Sequence, residues 1–197
     1  MEYTTQMDAA RKGIFTPEMA KVAEKEHLEP KKLMALMAEG KVIIPCNKVH
    51  TCIEPNGLGS MLKTKINVNL GTSRDLTDLN MELEKVNHAV EIGAEAIMDL
   101  SSFGDTQKFR RKLTAECPAI IGTVPIYDAV VYYHKPLREI TSEEWLQIAE
   151  MHAKDGVDFL TIHVGINKNT AERFKKMKRL TNIVSRGGSI IFAWMEM

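Results

Sequence analysis

The run Ser185-Arg186-Gly187-Gly188-Ser189 contains the residue types needed to grip an anion. Glycines let backbone N–H groups approach a ligand, serines donate hydroxyls, and an arginine clamps a phosphate or carboxylate through two N–H groups. The competing reading is a tight turn carrying a surface arginine. Upstream, His163 ends the apolar run Phe159–Ile162 and precedes Val164-Gly165. An imidazole there can act as general acid or base, bind a metal or an anion, or pack as a structural side chain. Period-two alternation puts Lys65, Asn67 and Asn69 on one face of a strand and Ile66, Val68 and Leu70 on the other. Interior amides need partners, which a ligand could supply at Asn69; Asn67 reads better as part of an internal network or a wet edge. Asp99, in an otherwise apolar run, caps the next helix, pairs with an internal lysine or serves a ligand. Tyr127 ends a run containing Gly122 and Pro125, and reads as a cavity-facing phenol or as a core tyrosine.

These residues close five short apolar runs: Lys65–Ser73, Ala96–Ser102, Ala119–Tyr127, Phe159–Gly165 and Leu180–Ser189. Parallel strands carrying a site at their C-terminal ends have this pattern. Helix signals separate them. Thr77 or Asp78 can cap a helix with Leu79, Leu83, Val86 and Val90 in one stripe, closed by Gly93, and Thr141-x-x-Glu144 matches a capping box before Trp145, Ile148, Ala149 and His152. Asp105–Ala115 and Asn169–Lys178 supply two more helices, the basic stretch Arg173–Arg179 being a solvated helix face. Ile190–Met197 is read as an apolar helix whose N-terminus faces the anion run. Alternating βα units predict a parallel sheet with right-handed crossovers. With no G-x-G-x-x-G after the first strand and polar residues at every strand end, an α/β fold of the (β/α)8 barrel type is favoured over an open sheet. Such a barrel typically needs about 250 residues, so five units indicate an incomplete one.

The first part of the chain reads differently. Thr16-Pro17-Glu18 starts a helix reaching about His27, Pro30 opens a second that Gly40 closes, and Cys46–Ser60 has the proline and glycines of irregular backbone. The expected division is an N-terminal helical elaboration over 1–62 and the first part of a barrel domain over 63–197.

Across 197 residues, 26 basic side chains balance 26 acidic ones, which disfavours nucleic-acid and anionic-membrane partners. The chain has no apolar stretch of membrane-spanning length and its first residues lack a signal-peptide core, so a cytoplasmic protein is expected. Three cysteines without paired short spacings read as free thiols.

The strings ARKGIFTPEM, VIIPCN, KINVNLGTS, MDLSS, IGTVPIYDA, DGVDFLTIHVG and RLTNIVSRGGS, ordered and correctly spaced over nearly the whole chain, resemble the phosphomethylpyrimidine synthase (ThiC) family, including its paralogue 5-hydroxybenzimidazole synthase. The resemblance covers the N-terminal half of such proteins. It implies a dimeric barrel lyase of radical type that uses S-adenosylmethionine and a [4Fe–4S] cluster, with a second metal such as zinc. Its implied substrate is aminoimidazole ribonucleotide, rearranged to hydroxymethylpyrimidine phosphate for thiamine or to 5-hydroxybenzimidazole for cobamides. By motif, Asn69, Met98, Tyr127, His163, Ser185, Arg186 and Gly187 match the family's substrate-contacting positions. The cluster and metal ligands and the catalytic residues of the family fall outside this chain, so it has no metal site of its own on this reading.

Two departures bear on product. Leu100-Ser-Ser-Phe-Gly104 stands where thiamine-pathway members usually read LSTG, and Asn182 replaces a usual glycine. Both are more like the benzimidazole-forming branch. Outside the resemblance stand a non-catalytic half-barrel that binds a nucleotide or a partner chain, and an unrelated phosphate-handling barrel with His163 as acid or base.

Overall fold

The computed structural model describes residues 2–197. Helices α1 (Gln6–Arg11), α2 (Pro17–Glu26) and α3 (Pro30–Ala38) come first, followed by strands β1 (Val42–Ile43) and β2 (Leu58–Gly59), which pair antiparallel. Thr16 caps α2 as its type and position predict, its hydroxyl accepting from the Met19 N–H. Apolar residues of these helices and β1, including Met19, Val22, Leu33, Met37 and Val42, bury one another in a core of their own. Short α1 has no equivalent in the sequence reading.

The remainder is β3 (Asn67–Leu70), α4 (Leu79–Glu91), β4 (Ala96–Asp99), α5 (Thr106–Glu116), β5 (Ile120–Thr123), α6 (Pro125–Tyr133), α7 (Ser142–Lys154), β6 (Phe159–Leu160), α8 (Lys168–Lys176) and α9 (Arg186–Glu196), alternating as expected through β5, after which α6 and α7, and α8 and α9, follow each other without a strand between. Strands β3-β4-β5-β6 form one parallel sheet in sequence order. Val68, Leu70, Ile97 and Ile121 point to the helix side and pack with Val86, Phe109 and Leu113. Ala96 and Ile120 project to the opposite face, where they bury Ile53. Asp78 and Thr141 cap α4 and α7, the latter with the full capping box. Gly93 and Gly156 take φ of 95° and 96° at the helix ends, conformations that disfavour a side chain.

Three elements depart from the sequence reading. The strand expected over Phe159–Val164 is laddered only at Phe159–Leu160, so His163 lies past it on irregular backbone. Ala119–Tyr127 is not strand to its end: the ladder stops at Thr123, and Pro125, whose fixed φ suits a first helical turn, opens α6, so Tyr127 sits on a helix. The fifth expected strand is absent among the described residues. Residues 180–184 are irregular and pair with no ladder, and Leu180 and Val184 are exposed at 103% and 84%. The structure therefore shows an α/β fold with a four-stranded parallel sheet, consistent with part of a barrel-like arrangement.

The segment after β1 is tied to the sheet by a buried ion pair. The His50 ring lies 2.7 Å from Asp158 Oδ2 through Nδ1 and 2.7 Å from the Cys117 carbonyl through Nε2, so both nitrogens face acceptors and an imidazolium donates to both. Asp158 also accepts from the Asn47 and Ile121 N–H groups. Burial works against the charge on His50, but the Asp158 carboxylate outweighs it and its pKa is raised.

Candidate functional site

The ladder register lines up one row of inner-face positions: Asn69 opposite Met98, Met98 opposite Gly122, Gly122 opposite Phe159. Parallel register partners share a face, and this face is opposite to that of Leu70 and Ile97. The Asn69 Oδ1 accepts from the Asn67 amide at 2.8 Å, which leaves the Asn69 amide nitrogen for another partner. Met98 is half-buried, its sulfur 3.9 Å from the Thr161 hydroxyl. Thr161, whose N–H donates to the Thr123 carbonyl, continues the extended path one residue past the β6 ladder, and His163 lies beyond it on irregular backbone.

Above the strand ends, α9 comes down onto His163. Ser185 is the helix N-cap, its Oγ accepting from the Gly188 N–H at 3.2 Å. Gly187 lies directly against His163, and Arg186 places its guanidinium carbon 4.7 Å from the Tyr127 ring centroid. Tyr127 and His163 are neighbours, with ring centroids 6.5 Å apart. The His163 Nδ1 atom is buried and has no protein partner. Arg186 and Asn69 also line a common cleft of about 280 Å³ with Thr72, Ser73 and Ser102. Tyr127, His163, Ser185, Arg186 and Gly187 are thus one contiguous group, and Asn69 and Met98 stand side by side on the adjoining strands. A cation over an aromatic ring, a hydroxyl and the first N–H groups of a helix can receive an anion, while the amide and imidazole can address a polar ring or sugar.

Asp99 faces the other way, being in register with Leu70 on the helix side, where its Oδ1 accepts from the Ser101 N–H. Burial pushes its pKa up to about 6, against the opposing Ser101 hydrogen bonds and the Arg110 charge. Around it lies a network that the sequence reading missed. Arg110, from α5, donates to Asp128 Oδ2 at 3.1 Å and to Asp155 Oδ2 at 2.9 Å, and all of these side chains are at most 3% exposed. His152 bridges Asp128, at 3.0 Å, and the Thr123 hydroxyl, at 2.8 Å. Thr106 also donates to Asp128. Burial alone would raise the Asp128 pKa, yet His152, Thr106 and Arg110 hold it below the usual value, whereas burial lowers that of His152. The network joins β5, α5, α6 and α7, and its Asp128 follows Tyr127 on α6. Its one sequence signal is the placement of Asp128 and His152 on apolar helix faces.

The cysteines do not fit an iron–sulfur cluster. Cys46 is half-buried with its thiol pushed up to about 11 by burial, Cys52 donates to the Cys117 carbonyl at 3.3 Å, and Cys117 is buried. Cluster ligation requires thiolates, which these surroundings disfavour. Among the described residues no group of three or more His, Cys, Asp or Glu side chains is placed to hold a metal ion, and no helix is long and apolar enough to cross a membrane.

The fold is an α/β arrangement with a four-stranded parallel sheet, consistent with part of a β/α barrel, and Tyr127, His163 and Arg186 gather past the ends of its strands. The chain belongs to the radical SAM ThiC family, whose model matches residues 5–197. It is 61% identical over all 197 residues to a phosphomethylpyrimidine synthase of Pelotomaculum thermopropionicum, of which it covers 46%. Phosphomethylpyrimidine synthases of Clostridium botulinum strains 657 and Kyoto are likewise 61% identical, with 45% of each covered. The chain thus spans a little under half the length of these relatives, consistent with the N-terminal portion expected from its motifs.

Proposed function

We propose that this chain forms the substrate-binding part of a phosphomethylpyrimidine synthase-type lyase, taking aminoimidazole ribonucleotide as its ligand. The observation that carries the reading is the convergence of Arg186, Gly187, Tyr127 and His163 above the strand ends. In this role Arg186 clamps the phosphate from over Tyr127, the Ser185 hydroxyl and the first α9 N–H groups complete the anion seat, and His163 and Asn69 address the ribose and imidazole. Met98 packs beside the ring. The radical chemistry belongs to a cluster and S-adenosylmethionine held by residues outside this chain.

Within the same reading, residues 1–62 are an N-terminal elaboration and 63–197 the first barrel units of a homodimeric cytoplasmic enzyme with no nucleic-acid or membrane partner. The names of the relatives favour hydroxymethylpyrimidine phosphate as product. One observation favours the benzimidazole product instead: Leu100–Gly104 and Asn182 depart from the thiamine-pathway pattern. Product analysis by mass of a full-length protein carrying this segment, assayed anaerobically, separates the two. Calorimetry with aminoimidazole ribonucleotide tests the binding role. Binding that Arg186→Ala abolishes is expected; no binding, with the variant also silent, would remove it.

A further inference from the structure

Phe159 and Gly122 are register partners across β6 and β5, in the row that continues through Met98 to Asn69. Gly122 adds no side chain to that row, and the Phe159 ring occupies the space. A Cβ on residue 122 would stand 2.1 Å from the ring Cζ, 2.4 Å from Cε1 and 2.6 Å from Cε2. The ring therefore leans across β5 with its tip over the glycine backbone. It packs against the buried cluster of Ile53, Ala96 and Ile120, which fills the sheet's inner face one layer deeper. Thr161, the next inner residue of the same segment, reaches the Met98 sulfur at 3.9 Å. On β4 and β5 the inner face is thus apolar up to the row of Met98 and Phe159, and the polar groups of Thr161, Tyr127 and His163 lie past the ends of β5 and β6.

We infer that Phe159, seated in the slot left by Gly122, is the floor of the ligand pocket and the residue that limits the size of the planar ring it admits. The inference rests on the proposed nucleotide-binding role. The physical basis is the division of labour just described. Phosphate and sugar are addressed from α9 and the strand ends, so the remaining heterocycle points into the barrel, where the first surface it meets is the Met98–Phe159 layer. An aromatic floor excludes water from the ring and sets how deep it sits, and removing part of such a floor changes discrimination between ring sizes more than affinity for the anion. Gly122 is required because any side chain there would force the phenyl ring upward into the pocket.

The test is calorimetry of the 197-residue chain and its variants with aminoimidazole ribonucleotide, benzimidazole ribonucleotide and ribose 5-phosphate. Phe159→Leu is expected to weaken the aminoimidazole nucleotide about tenfold, to leave ribose 5-phosphate unchanged, and to shift the affinity ratio toward the larger benzimidazole ring. Gly122→Ala is expected to weaken both nucleotides, and Phe159→Leu added to it to restore part of the loss by removing the displaced ring atoms. Phe159→Met serves the same comparison should the leucine variant not fold. Nucleotide binding by the wild type that the floor variants leave unchanged, or an equal loss for nucleotide and ribose 5-phosphate, would overturn the inference alone. A wild-type chain that binds neither nucleotide would overturn the proposed function and the inference with it.

Discussion

The His163 imidazole fills the volume that a side chain on Gly187 would need: a Cβ there would lie 2.1 Å from Cε1 and 2.5 Å from each ring nitrogen. Strand end and helix start are therefore fitted to each other, and the position of the histidine depends on the bareness of the glycine. Gly187→Ala must push the imidazole aside or lift α9, an overpacking that typically costs about 1–3 kcal/mol. Loss of nucleotide binding in calorimetry, with a modest fall in the thermal midpoint, is the expected outcome. Wild-type affinity in this variant would show that the contact does not set the site.

Arg186 over Tyr127 gives a second expectation. Because Arg186 is exposed, the attraction of its guanidinium to the ring is worth about 0.5–1 kcal/mol. Tyr127→Phe should keep anion affinity and Tyr127→Leu should reduce it by a few-fold, measured with ribose 5-phosphate. Equal loss in both variants would assign the effect to the phenol hydroxyl instead.

Arg110 is the buried cation between Asp128 and Asp155. Arg110→Met keeps the length of the side chain but leaves Asp128 to His152 and Asp155 to the more exposed Arg111. Breaking a buried pair from one side typically costs about 3–5 kcal/mol. Denaturant unfolding should show a loss of this order. Since Asp128 adjoins Tyr127 on α6, nucleotide affinity should fall as well in whatever fraction stays folded. A variant as stable as the wild type would mean that the remaining partners satisfy both carboxylates.

His50 gives a pH dependence with a definite sign. Its folded pKa is raised above the ordinary value of 6.5, so its stabilising contribution is fully present below that value and is lost as pH rises through the folded pKa. The groups that face it are the Asp158 carboxylate and the Cys117 carbonyl, to which the Cys52 thiol also donates. The gap in thermal midpoint between wild type and His50→Gln should therefore be widest at about pH 6 and narrow on the alkaline side. His152 shifts in the opposite direction but remains in both proteins, so the difference isolates His50. A gap that widens with increasing pH would contradict the assignment.

Much of this architecture is legible in local chemistry. Thr16, Asp78 and Thr141 cap the helices their types and neighbours predict, and β3 shows the expected alternation. The candidate residues Asn69, Tyr127, His163 and Arg186 stand out in the sequence as polar side chains near the ends of apolar runs, whereas Met98 is singled out only by the family resemblance. What the sequence hid has physical causes. Residues 119–127 are apolar but for Gly122, Thr123 and the Tyr127 hydroxyl, too few polar positions to show the change from period two to period 3.6 at Pro125, and Tyr127 reads as a strand end. Leu180–Val184 has strand propensity but no paired neighbour, and propensity without a ladder does not make a strand. The Arg110 network joins residues 45 apart in sequence, a separation that carries no spacing signal. The Phe159–Gly122 fit likewise depends on pairing across strands and on ring placement.

Ser185 spends the two ends of one hydroxyl differently. Its oxygen accepts the Gly188 N–H and so starts α9, while its proton is left to donate to whatever sits before the helix. Cap and clamp are one atom, so Ser185→Ala removes both and cannot tell a folding defect from a binding defect. Aspartate separates them. It retains an acceptor for the helix start and presents a negative charge to the anion seat. A Ser185→Asp protein that keeps its helical circular dichroism and rejects ribose 5-phosphate would place folding and recognition on opposite sides of the same oxygen.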